Sequence, residues 1–269
     1  MWIWACVVPH PPIVVPEVGR GGEKEAESTI QAFWELEEYL EKPEMLVALS
    51  PHAPFAPGKM VFSTATMYRG SFDMFNAPSV FFEVPGENCD VSNLEKALTR
   101  SGISSEILHS SHGVLDHGCM VPLYFFRQFW SFSLPPLLLM NPVGLSPQNA
   151  YDAGRVLAEF FPEKKWGLLA SGDLSHGLSP SSPGKYHPWG ERFDQMVVEC
   201  LGKGESLPLR NLSFEERRDA QECGLASVLF AQGLTKDQPF HILSYEAPFG
   251  VGYCVAYHVS KNFRLREDL

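Results

Sequence analysis

The chain has 269 residues, 45% hydrophobic and 20% charged, enough to bury a core in one large domain or two small ones. Its net charge is −11 and no Lys/Arg cluster exceeds two residues, which argues against DNA or RNA as a partner. No apolar run approaches the ~20 residues of a membrane helix, and six scattered cysteines without a C-x-x-C pair suggest neither a zinc knuckle nor a disulfide framework.

The first element is the apolar run 2–8, which reads as a strand covered on both faces rather than a signal peptide, because a basic leader and a small-residue cleavage site are missing. A cytoplasmic protein with reduced thiols is the expectation. Residues 23–42 carry Ile30, Phe33, Leu36 and Leu40 at helical spacing and predict an amphipathic helix. A second buried strand covers 45–50. Residues 54–91, rich in Phe, Pro and Gly, read as a meander of short strands and loops that shapes specificity.

A short helix is expected over 92–101 and a strand over 104–109. A further helix follows His117, with Pro122 tolerated in its first turn. Residues 136–140 give a third buried strand, and Ser146 caps a helix over 147–161. Residues 166–170 form a fourth strand that delivers Ser171 to His176. Helices near 188–202 and 213–233 follow a Ser/Pro/Gly loop, the second opened by the capping box Ser213 to Glu216. Strands at 239–245 and 251–258 end the pattern. The alternation predicts a single α/β domain over 1–269, with a central mixed sheet flanked by helices.

Strand ends are where an open α/β sheet places its chemistry. His10 and His52 each follow an apolar strand and sit beside prolines, which hold the imidazole at the strand exit. A turn role bonded to backbone is the alternative, but two histidines in one context favour a metal. Glu246, after the run His241 to Tyr245, would add the carboxylate that suits iron(II) with open positions; a solvent-facing loop glutamate is the bland reading. His117 and His176 each have an aspartate nearby, Asp116 and Asp173, able to set an imidazole tautomer, and are candidates for proton transfer. Against this, His117 could cap a helix and His176 could be an ordinary loop residue. His109 and His112 fall in a Ser-rich stretch that reads as a loop, and His112 is expected in support of the site rather than in it. Cys223 falls in the middle of the expected 213–233 helix, where packing is its expected role. With no G-x-S-x-G elbow, a serine hydrolase is disfavoured.

At these residues the chain resembles the class III extradiol ring-cleavage dioxygenases, a superfamily that includes the catalytic subunit of protocatechuate 4,5-dioxygenase and the Memo proteins. Asp116-His117-Gly118-Cys119-Met120-Val121-Pro122-Leu123 looks like its DHG-x-x-VPL element. Ser171 to His176 looks like its S-x-x-x-S/C-H element, and Val8-Pro9-His10-Pro11-Pro12 with Ser50-Pro51-His52 looks like its two metal histidines. The nearest likeness is to the bacterial branch called AmmeMemoRadiSam system protein B, over residues 2 to 257. The resemblance implies a one-domain α/β fold and an iron(II) held by His10, His52 and Glu246, with zinc as a bound or substitute metal. It also implies His176 as the acid–base histidine, His117 lining the pocket, and a small aromatic substrate with O2. The Memo branch has cysteine where the dioxygenases have the third ligand, and Asp173 resembles that branch.

Three readings follow: an Fe(II)-dependent extradiol dioxygenase cleaving a catecholic ring, a Memo-like metal-binding protein of unknown or redox-linked activity without ring cleavage, and a zinc-dependent hydrolase. The residues leave open whether the protein forms a homo-oligomer or works with a partner protein.

Overall fold

Four short apolar runs form the middle of the sheet because each is buried on both faces. The structure is a computed structural model that describes residues 1–87, 89–161 and 163–260. The strands are β1 (Trp2–Val8), β2 (Met45–Leu49), β3 (Lys59–Phe72), β4 (Ala77–Pro85), β5 (Ser104–Val114), β6 (Leu137–Asn141), β7 (Trp166–Ser171), β8 (His241–Glu246) and β9 (Tyr253–Val259). They form a nine-stranded sheet in the order β4-β3-β6-β2-β7-β1-β9-β8, with β5 paired to β3. The pairs β6–β2, β2–β7 and β7–β1 are parallel, so the centre of the sheet is one parallel block. Antiparallel β9 and β8 extend one flank, and antiparallel β3 and β4 the other.

The helical segments are α1 (Pro16–Gly19), α2 (Glu27–Glu35), α3 (Ser92–Arg100), α4 (His117–Phe129), α5 (Pro147–Leu157), α6 (Trp189–Lys203), α7 (Leu207–Arg210), α8 (Phe214–Ala220) and α9 (Leu225–Thr235). Two cores result, one per sheet face. Val7, Val47, Leu168, Phe193, Leu229 and Phe230 belong to the core under α5, α6 and α9. Trp4, Leu46, Phe33, Phe125 and Phe126 belong to the core under α2 and α4. α9 is buried along its whole length, which explains why its sequence is apolar all round. The mixed sheet flanked by helices is the expected architecture.

Four expected elements differ in detail, and the first is the meander of short strands expected over 54–91, which is instead the long antiparallel hairpin of β3 and β4. The helix expected over 23–42 is a 3-10 turn (Gly22–Ala26), then α2, then a second 3-10 turn (Leu36–Glu38). The helix expected over 213–233 breaks into α8 and α9 at Gln221, whose φ is 54°. The expected strand 104–109 runs on to Val114, because the 14-residue β3 offers it a continuous parallel ladder. That extension converts the expected His109–His112 loop into strand.

Candidate metal centre

Parallel strands point their carboxyl ends the same way, and this collects the site. His10 follows β1, Ser50 and His52 follow β2, and Ser171 closes β7 with Gly172 to His176 after it, on neighbouring strands of one sheet edge. Asn141, closing β6, donates to Ala53 O at 2.8 Å and steadies the loop that carries His52. His117 arrives from a different element as the first residue of α4. Asp116 caps that helix by accepting from Cys119 N at 3.3 Å, and Ser50 Oγ donates to the same carboxylate oxygen at 2.6 Å. The cap therefore ties the start of α4 to the end of β2.

One ring nitrogen each of His10, His52 and His117 lies within 4.8 Å of the others. Ring centroids are 5.0 Å apart for His10–His52, 5.4 Å for His10–His117 and 4.2 Å for His52–His117. Hydrogen bonding selects the tautomer of His10. The single hydroxyl proton of Ser171 goes to Gly118 O at 2.6 Å, so toward His10 Nδ1, 2.9 Å away, Ser171 Oγ accepts. Nδ1 carries the hydrogen, and Nε2 turns a lone pair toward His52 Nε2 at 3.1 Å.

Burial pushes the His10 pKa well below the usual imidazole range, and the neighbouring His52 and His117 push it further. His117 is lowered too, first by burial and then by His52. The lowered values favour neutral His10 and His117, and three ring nitrogens this close together are a donor set that fits a divalent ion.

The turn after β7 closes the site. Asp173 Oδ1 accepts from His10 N at 2.8 Å, and Oδ2 lies 4.0 Å from both His10 Nε2 and His176 Nε2. Burial raises the Asp173 pKa, while bonding to His10 N and nearby imidazoles oppose the rise. The Cys223 thiol is 3.7 Å from His10 Nε2 and accepts from Asp173 N at 3.2 Å. Burial and the Asp173 charge hold that thiol far above its ordinary pKa. Gly172 permits the approach: a Cβ there would collide with the Gly224 backbone. His176 is partly open to solvent, with its side chain 27% exposed, and its Nδ1 is buried with no hydrogen-bond partner.

Asp194 of α6 holds this turn from behind. It is fully buried, accepts from Ser175 N and from the Tyr245 hydroxyl, both at 2.8 Å, and burial pushes its pKa up to about 7. Position 252 must stay glycine, because a Cβ would overlap the Asp194 carboxylate.

The structure brings together His10, His52, His117, Asp173 and His176, and it engages Glu246 elsewhere. Antiparallel β8 does end on the correct side of the sheet. However, one Glu246 oxygen accepts from Thr29 N and Thr29 Oγ1, both at 2.6 Å, anchoring the first turn of α2. Two carboxylates lie at the imidazoles: Asp173, beside His10 and His176, and Asp116, whose charge acts on His10 and His117. His112 is exposed in β5, paired with Met67, and does not support the site. Asp116 acts through the α4 cap. Cys223 escaped sequence reasoning because its helix was read as continuous; the interruption at Gln221-Glu222-Cys223-Gly224 is the local signal.

The fold and this cluster define an α/β protein with a candidate metal centre at the carboxyl edge of a parallel block. The chain belongs to the family described as the catalytic LigB subunit of aromatic ring-opening dioxygenase, whose model matches residues 4–256. It is similar to Protein CA_C1420 of Clostridium acetobutylicum, 33% identical over 262 residues. That match covers 93% of this chain and 56% of the relative, so the chain spans about half the length of the curated relative it matches. The crystal structure of uncharacterized protein JW3007 from Escherichia coli K12 shares the fold with a TM-score of 0.64 and 15% identity, over 95% of this chain and 99% of that one. No helix among the described residues is long and apolar enough to cross a membrane.

Proposed function

We propose that this protein is a non-haem iron enzyme that opens a catecholic aromatic ring with O2. The observation that carries the reading is the convergence of three imidazoles, His10, His52 and His117, on one point beside a carboxylate, inside a ring-opening dioxygenase family. His10, His52 and His117 would hold the ion, with Asp173 an adjacent carboxylate. When bound, iron(II) in such a nitrogen and carboxylate set supplies the redox chemistry and open positions for substrate and oxygen.

The chain's own residues supply the rest. Ser171 keeps the His10 lone pair aimed inward through Nδ1. Asp173 fixes the His10 backbone and faces His176. His176 is the group placed to take a proton from a substrate hydroxyl: its ring is partly open to solvent and its Nε2 lies 4.0 Å from Asp173 Oδ2.

A second reading has its own observation. The Cys223 thiol beside His10 Nε2, together with the engagement of Glu246 by Thr29, favours a Memo-like metal protein with thiol-linked redox activity and no ring cleavage. The test is oxygen uptake by anaerobically iron-loaded protein across a panel of catechols, with absorbance scanning for a ring-opened product. Uptake matched by product supports ring opening. Stoichiometric iron without turnover on any catechol refutes it and favours the thiol-linked reading.

A further inference from the structure

We propose that Phe75, at the tip of the β3–β4 hairpin, selects flat aromatic ligands at the metal centre. The inference rests on the metal-centre reading above. Phe75 meets the His117 ring edge-on, with centroids 5.6 Å apart at 70°. Among the described residues it is the one non-histidine ring in contact with the three imidazoles. The groups that bond to or act electrostatically on the imidazoles include Asp173, Asp116, Ser171, His176 and Cys223, all polar or ionisable. The centre is therefore two-sided, with donors on one side and an aromatic face on the other. A ligand with a donor edge and an apolar ring face uses both sides. A chelator without a ring uses only the first.

The tip is built to hold this position. Phe72, buried beneath it, packs on Phe75 at 6.0 Å and on Phe82 at 6.2 Å. Ser71 Oγ donates to Asp73 Oδ2 at 2.5 Å, which braces the start of the turn. Asn76 closes it in the left-handed region, with φ at 58°. Its carbonyl accepts from the Arg20 guanidinium at 2.6 Å, so the segment after α1 ties the tip down from outside. Phe75 is half-buried, while its neighbour Met74 is 80% exposed. The turn thus turns its phenyl ring inward and its thioether outward.

The experiment loads wild-type protein, Phe75→Leu and Arg20→Ala with ferric iron and titrates each with catechol and with acetohydroxamate, a bidentate chelator without a ring. Binding is read from the ligand-to-iron absorption band. Leucine keeps apolar bulk at the tip but removes the ring, so the fold is preserved. Loss of one aromatic contact is expected to weaken catechol about two- to tenfold in Phe75→Leu and to leave acetohydroxamate within about twofold. Arg20→Ala, which unties the tip, shifts catechol in the same direction by less. Equal weakening of both chelators, or unchanged catechol binding in Phe75→Leu, overturns the proposal. If neither chelator produces a band with wild-type protein, the metal-centre reading itself fails, and the inference fails with it.

Discussion

Replacing Asp194 with asparagine tests the electrostatics behind the site. The carboxyl is fully buried, and its two donors, Ser175 N and the Tyr245 hydroxyl, do not offset the loss of water: burial dominates and its pKa rises from 3.8 to about 7. Between those values the folded chain holds a proton that the unfolded chain has released. Unfolding then releases that proton, so raising the pH favours the unfolded state. Each pH unit across the window removes about 1.4 kcal/mol, or about 4 kcal/mol from pH 4 to pH 7. Asparagine keeps the shape and an acceptor but cannot ionise. Urea unfolding of wild type and Asp194→Asn at pH 5, 6, 7 and 8 measures the difference directly. Wild-type stability relative to the variant should fall as pH rises to about 7 and level off above it. A difference that is flat, or that grows in favour of wild type over this window, would refute the argument that desolvation outweighs the two hydrogen bonds.

Three further outcomes are expected. Alanine at His10, His52 or His117 should each remove stoichiometric metal, measured by elemental analysis, with the unfolding transition retained, because each contributes one converging nitrogen. Glu246→Ala should keep the metal and lose about 1.5–3 kcal/mol of stability, since its carboxylate anchors Thr29; loss of metal would return Glu246 to the ligand set. His176→Ala should keep the metal and lower the rate of any ring-opening turnover by about 10² to 10⁴, the usual weight of acid–base catalysis, and an unchanged rate would remove it from the reaction.

Much of this protein is written locally. The apolar runs of β1, β2, β6 and β7 announce strands covered on both faces, and prolines beside His10 and His52 announce their exits. The Ser213–Glu216 box announces the start of α8, since its two reciprocal bonds depend on four consecutive residues alone. Because parallel strands share a carboxyl edge, finding the runs was nearly enough to place His10, His52, Asp173 and His176 together.

The tertiary structure decided which polar groups at that edge are free to serve the site. Glu246 ends on the correct side but meets Thr29 of α2, a contact between residues 217 positions apart. His117 sits in the cluster because Ser50 ties the α4 cap to β2. Cys223 reaches His10 because two glycines, Gly172 and Gly224, let distant backbones touch. Sequence pattern reports what a residue is and which local element carries it. A carboxylate, thiol or imidazole has several partners within chemical reach, and only the packing of whole elements determines which one it meets.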